Sequence, residues 1–400
     1  MPLPSMSTDH SRAVLESEGM GTGSSRADRL TSFVSSDFEV PTGAEEEWRF
    51  TPMARVRDFL ADDLVAAPAR VSSSNPALEV VGREDPRLGT IGVPEDRSGA
   101  LAWEAFTQAH VLTIPAGAQG ETVIQVEAPE GMSAAHLAIF AEKGATSTVV
   151  IEHTGVGELT EGIEISVADE AELTVVSVQE ADRTARHFST QSIKIGRDAK
   201  VHHIVVTLGG DLVRITTNLS YGGPGGDAEL LGAYITDAGE HQEHRVFVDH
   251  EHPNCISRVT YKGALQGDEA HSVWIGDVLI GAPATGTDTY ELNRNLVLTG
   301  GAKADSVPNL EIETGEIVGA GHASATGRFD EEQLFYLRAR GIPEDVARRL
   351  VVRGFFAELV DHIGVPSVQS KLMAAIEREL DIAGLASSSE YDGFAEEDAE

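Results

Sequence analysis

Residues Gly144–Leu208 read GATSTVVIEHTGVGELTEGIEISVADEAELTVVSVQEADRTARHFSTQSIKIGRDAKVHHIVVTL. Within TSTVVIEH, GIEISVA, ELTVVSVQ, QSIKIG and KVHHIVVTL, Val, Ile and Thr alternate with polar residues. A period of two marks strands with one buried face. Gly and Asp punctuate the segments, and helical periodicity is nearly absent. The same texture runs from about residue 111, at HVLTIPA, to about 320. An alanine follows a turn residue at Ala145, Ala171, Ala199 and Ala228, at intervals of 26, 28 and 29 residues. Several short strands per unit, with no helix between them, suit the coils of a β-helix. A β-sandwich with similar strand spacing fits as well.

Working outward, both flanks change character. Residues 1–25 are polar and Gly/Ser-rich, without the basic and apolar regions of a secretory signal, and are expected to be a disordered leader. Residues 26–110 read as a mixed N-terminal region, with helical spacing in ADRLTSFVSS and MARVRDFLADDL. The strand-rich core is expected at 111–327 and a helical region at 328–384. In FDEEQLFYLRARG, Asp330 is the expected N-cap, Arg338 and Arg340 suit the last turn, and Gly341 marks the stop. Pro343 and Pro366 open two further helices. Val346, Leu350, Phe355, Leu359 and Ile363 give the first of these a broad apolar face. The tail 385–400 is acidic and expected to be flexible.

The formal charge is -35, from 65 acidic and 30 basic residues. Phosphate recognition needs clustered Lys and Arg, so this balance argues against a nucleic-acid surface and against docking on anionic lipid. No run approaches the length of a membrane span. The single cysteine, Cys255, allows no internal disulfide and points to a reducing, cytoplasmic setting. One thiolate does not hold a zinc ribbon or an iron–sulfur cluster, so handling such metals would require ligands from a partner.

Toward the C-terminal side the chain reads HRVFVDHEHPNCISRVTYKGALQG and then NRNLVLTGGAKADSVPNLEIETGEIVGAGHASATGRFDEEQLFYLRARGIPEDVARRL. The order DH-x-x-P-x-C-x-S, YKG, N-x-NL-x-L, P-x-LEI, GH and DEEQLFYL-x-x-RGI resembles the SufB/SufD family of iron–sulfur cluster assembly scaffolds, SufD more than SufB. EEWRFTP, at residues 46–52, resembles that family's N-terminal motif. The resemblance implies a mainly β fold with helical ends: a right-handed parallel β-helix flanked by N- and C-terminal helical regions. It also implies a non-catalytic scaffold subunit. Such a subunit pairs with a SufB-like subunit through the β-helices and binds the ATPase SufC through the C-terminal helices. It has no permanent cofactor of its own. A transient cluster is shared with SufB, and a flavin belongs to the complex as a whole.

His322 falls on the family's histidine, which faces SufB and is implicated in holding the nascent cluster. Neutral imidazole binds iron, and the Gly, Ala and Ser neighbours let a partner approach. The alternative is a histidine hydrogen-bonded at the end of the β-helix. Family members often carry a cysteine two residues earlier; here that residue is Ala320. Cys255 is read as a small buried hydrophobe rather than a sulfur relay. His241, His244, His250 and His252 are read as a solvated or hydrogen-bonded strand face rather than a metal site, and only one of His202 and His203 can be buried. The GGPGG run at 222–226 lacks the Lys-Ser/Thr of a phosphate loop and is read as a turn. Arg338, Arg340, Arg348, Arg349 and Arg353 form a basic island, either a SufC-docking surface or helix charge compensation. Two other functions compete with the scaffold. One is a β-helix enzyme acting on polysaccharide, for which neither a secretion signal nor a carboxylate cluster is evident. The other is a homodimer of this SufB/SufD-type chain acting without SufB.

Overall fold

The computed structural model describes Arg26, residues 29–329 and residues 331–382. The expected leader, the Asp330 N-cap and the acidic tail lie outside the described residues.

The alternating segments form a two-sheet parallel β-solenoid of about eight turns. One sheet, here sheet A, stacks β4 (Gln108–Ile114), β6 (Met132–Ala141), β8 (Glu158–Val167), β10 (Arg186–Ile195), β12 (Leu212–Tyr221), β14 (His241–His250), β16 (His271–Ile280) and β18 (Lys303–Ile312). Sheet B stacks β5 (Glu121–Ala128), β7 (Thr146–Gly155), β9 (Glu172–Gln179), β11 (Lys200–Thr207), β13 (Asp227–Thr236), β15 (Ile256–Leu265), β17 (Asp288–Val297) and β19 (Gly319–Arg328). Each turn contributes one strand to each sheet, so the sequence period becomes a rise of one rung. The inward apolar residues form one core cluster that includes Val149, Ile151, Ile163, Ile193, Leu230 and Val259. Burying each such side chain contributes roughly 1.5–3 kcal/mol.

The repeated alanines mark the corner leading from sheet A to sheet B. There a residue in the left-handed region precedes a small buried one: Gly144–Ala145, Glu170–Ala171, Asp198–Ala199, Gly225–Gly226, Asn254–Cys255 and Gly286–Thr287. The N–H of the left-handed residue donates to a carbonyl of the next turn, as in Glu170 to Arg197, Asp198 to Pro224 and Asn254 to Thr285. The ladder therefore runs unbroken around the corner. Ala228 is not part of this stack. It pairs with Val201 inside the strand, two residues past the corner, which Gly226 occupies. Cys255 takes the next corner, where only a small side chain fits.

The two ends of the solenoid differ. At the first turns, β2 (Arg70–Ser73) pairs antiparallel with β5 and β3 (Glu79–Gly82) antiparallel with β4, while β1 (Ala67–Pro68) pairs with β6. These short strands close the edges. At the last turn no strand follows β18 or β19 among the described residues.

The N-terminal segment covers the outer face of sheet A. In the described part of ADRLTSFVSS the expected helix is reduced to one 3-10 turn, Ser35–Asp37, and in MARVRDFL to α1 (Met53–Val56) followed by a 3-10 turn. Tertiary packing replaces helical hydrogen bonding here. Trp48, Val56, Phe59 and Leu60 pack on Phe188 and Leu212. Arg214 lies 3.9 Å from the Trp48 ring centroid and pairs with Asp96 and Glu243. Thr51 Oγ1 donates to Glu243 at 2.7 Å. The EEWRFTP motif is thus an anchor on sheet A. A nine-residue helix, α2 (Arg97–Ala105), was not foreseen within the irregular 66–110 stretch; the Asp96 side chain caps it at Gly99 N.

The C-terminal helices α3 (Glu331–Ala339), α4 (Glu344–Ile363) and α5 (Pro366–Ile382) follow β19. Gly341 and Gly364 end α3 and α4 with φ of 86° and 64°. Val352, Phe356, Leu359 and Ile363 pack on the outer face of sheet B at Val176, Ile204 and Leu231. Of the predicted apolar face, Leu359 and Ile363 are buried there and Phe355 is half-buried against the same cluster, whereas Leu350 is exposed and the buried Val352 and Phe356 lay outside the prediction.

Candidate functional site

The open end of the solenoid is formed by β18 and β19, each ten residues long. Among the described residues their outer backbone edges face no further strand, so their N–H and C=O groups offer a template for another chain. Ser306 of β18 and Ser324 of β19 meet across the interior at 2.8 Å. His322 lies on β19 and is exposed. Ala320, two residues earlier, is half-buried against the core.

His322 completes a ladder through the interior of sheet B. Val149, Val175, His203, Leu230, Val259, Glu291 and His322 occupy one position on successive turns. All but the last are buried. The ladder is aliphatic apart from His203 until its last two rungs, which carry a carboxyl and an imidazole. Glu291 is 1% exposed, and neither of its oxygens has a hydrogen-bond partner. Burial, with Asp277 adding to it, pushes its carboxyl up to about 8. The group is therefore largely neutral at pH 7, one rung beneath an accessible imidazole.

The other candidate residues go elsewhere. Cys255 is fully buried, with Sγ 3.6 Å from the Gly223 carbonyl, and burial raises its thiol. That is an inert environment for sulfur chemistry. His241, His244 and His250 are buried rather than solvated. His244 meets Thr207 Oγ1 at 2.9 Å inside the solenoid, and His250 meets Ser257 Oγ at 2.9 Å and stacks on Tyr221. His241 points to the opposite face, near Glu243. β14 ends at His250, so His252 lies in the following turn. His203 is buried and held by Gln191 at 2.7 Å, while the half-buried His202 pairs with Glu229 at 2.9 Å. GGPGG is the turn between β12 and β13. In the basic island, Arg338 and Arg348 pair with Glu344, and Arg349 and Arg353 with Glu377. Arg340 lies over the Tyr336 ring. Phe335 and Tyr336 of α3 are exposed.

Sequence reading missed Glu291 as well as a buried polar group formed by His153, Glu161 and His187. Both depend on which residues fall in register across turns of 26–32 residues. No local spacing carries that information.

Comparison with known proteins gives a consistent result. A family model described as "SUF system FeS cluster assembly, SufBD core domain" matches residues 123–355. An iron–sulfur cluster assembly SufBD family protein of Mycobacterium tuberculosis is 53% identical over 378 residues, covering 90% of this chain and 95% of its own length. Proteins named iron–sulfur cluster assembly protein SufD are more distant. That of Escherichia coli is 24% identical, covering 85% of this chain and 89% of its own length. That of Bacillus subtilis is 26% identical, covering 72% and 68%.

Proposed function

The chain belongs to the SufBD family of the SUF system for iron–sulfur cluster assembly, and from that premise we propose that it is a non-catalytic, SufD-like scaffold subunit. It pairs with a SufB-like subunit through its open end, offers His322 to the nascent cluster and binds a SufC-like ATPase through its C-terminal helices. The cluster is cargo, shared for a time with the partner and then passed on. A cytoplasmic setting goes with this role. Among the described residues no helix is long and apolar enough to cross a membrane.

The open end carries this reading: two long strands, each with its outer edge unpaired among the described residues, and an exposed imidazole on the last. Strand addition supplies affinity through main-chain hydrogen bonds and fixes register. With Ala320 in place of a cysteine, the thiolates come from the partner, and imidazole is the ligand type this chain contributes. Glu291 supports the same reading. A cation arriving at His322 favours the carboxylate form, so iron binding releases the Glu291 proton. The exposed Phe335 and Tyr336 on α3 suit a partner surface.

The test is anaerobic co-purification with SufB-like and SufC-like partners from the same source, comparing wild type with His322→Ala. Complex size, iron and acid-labile sulfide are measured together. An intact complex with a sharp loss of iron and sulfide is the expected result. Unchanged cluster content in an intact complex removes the ligand role from His322, and loss of the complex makes it an interface residue instead. The runner-up is pairing between two copies of this chain through the same edges. A chain that stays dimeric and does not exchange into a complex with the SufB-like partner would favour it. The family match displaces the polysaccharide-enzyme alternative.

A further inference from the structure

Well away from His322, three metal-ligating side chains converge inside the solenoid. His153 of β7, Glu161 of β8 and His187 of β10 each bring one ligand atom to within 4.8 Å of the others. They are 2%, 0% and 4% exposed. His153 Nε2 is 3.1 and 3.0 Å from the two Glu161 oxygens. His187 Nε2 is 3.3 Å from Glu161 Oε2.

The hydrogen bonds behind the rings fix the protons. His153 Nδ1 lies 3.2 Å from the Val178 carbonyl. His187 Nδ1 lies 2.8 Å from Gln179 Oε1, and the Gln179 amide nitrogen donates to Ser177. A carbonyl oxygen only accepts, so each Nδ1 carries the N–H. A neutral imidazole has one N–H, so both Nε2 atoms then turn lone pairs toward a carboxylate. Three electron-rich atoms face one another in a sealed interior.

Protons alone relieve this poorly. An imidazolium at His153 neutralises Glu161 but leaves His187 Nε2 without a hydrogen-bond partner. Protonating both places two cations in rings whose centroids are 4.8 Å apart, around a single carboxylate. A cation among the three atoms satisfies all of them. Two imidazoles and a carboxylate are the donor set that zinc and ferrous iron take. Each ring is already oriented by an Nδ1–H bond to a carbonyl oxygen, the usual support behind a ligating histidine. Ser189 Oγ, 3.1 Å from Glu161 Oε2, holds the carboxylate.

We propose that His153, Glu161 and His187 form a buried structural site for a divalent transition-metal ion of the zinc or ferrous class, tying sheet B to sheet A in the early turns. The site shares no residue with the open end and does not depend on the role of His322.

The test unfolds the full-length chain and refolds it with equimolar Co2+, whose visible bands report a low-symmetry nitrogen and oxygen site. Wild type and His322→Ala are expected to show the bands, and Zn2+ to displace them. His187→Gln and Glu161→Gln are expected to lose them, with Zn2+ affinity lower by about 100-fold or more. Zn2+ should raise the unfolding midpoint of wild type and not that of either variant. X-ray absorption on the wild-type Zn2+ form reads the donor set without relying on the variants. Failure of the wild type to bind metal, bands that survive in both variants, or a Zn2+ shell without two imidazoles would overturn the proposal.

Discussion

His322 stands one rung above Glu291, at the same position of consecutive turns, with the imidazole in solvent and the carboxyl sealed beneath it. The pair joins the surface of the open end to its interior.

Glu291 makes the fold sensitive to alkali. Its folded value is about 8 against an ordinary 4.5, so between those values the folded chain holds a proton that the unfolded chain has released. Stability therefore falls as pH rises through this window. Asp249, raised to about 7 chiefly by burial, adds to the slope. Glu291→Gln keeps a neutral side chain of similar shape. Its urea midpoint is expected to exceed that of wild type at about pH 9 and to match it near pH 5. Equal midpoints at the higher pH would show that Glu291 is not a buried acid.

Three buried histidines act at the acid side. Burial lowers His203 to about 4 and His244 and His250 to about 3, from an ordinary 6.5. Below the ordinary value the unfolded chain takes up protons that the folded chain refuses, so stability is lost as pH falls from about 6.5 toward 4. His203→Gln should shallow this loss without abolishing it, as read by unfolding midpoints across that range. A slope unchanged by the substitution would assign the acid lability elsewhere.

Cys255 is expected to be chemically silent in the folded chain. A thiol reagent should label it only at the rate of global or local unfolding, and label it at once in denaturant. Cys255→Ala should cost about 1 kcal/mol and leave cluster assembly intact. Cys255→Leu overfills the corner and should cost roughly 1–3 kcal/mol. Fast labelling of the native chain would contradict the buried corner.

The open edges can be blocked by charge. Val307 and Ala325 lie on the last strand of each sheet. Introducing Val307→Lys and Ala325→Lys together should weaken partner pairing by at least about tenfold, with little change in thermal midpoint. Sedimentation of the mixed subunits measures it. A complex of unchanged affinity would place the interface away from these strands.

The β texture was legible because each strand has one face toward the core, so TSTVVIEH and ELTVVSVQ alternate visibly. The corners were legible wherever an alanine was used, at Ala145, Ala171 and Ala199. They were misread at Ala228, which lies inside the strand two residues past the corner that Gly226 occupies. Cys255 belongs to the same stack, and its burial follows from that. In the N-terminal region, Trp48 and Phe59 are held by sheet A rather than by a helix, so local periodicity misled. His322 came from the family resemblance, not from its spacing. Glu291 and the His153–Glu161–His187 group were illegible for a different reason. Their neighbours are 8 to 34 residues away in sequence, and only the register of whole turns brings them together.

The contrast between a closed first turn and an open last turn also bears on how the chain is made. Turns emerge from the ribosome in order, and each finished rung is the template on which the next is laid. The sealed edge is completed early, so the growing stack has one adhesive face, and that face moves forward with synthesis. The surface left adhesive at the end is the one placed last, after every earlier rung has been covered. Newborn chains thus spend the shortest time with their final edge exposed and unpartnered.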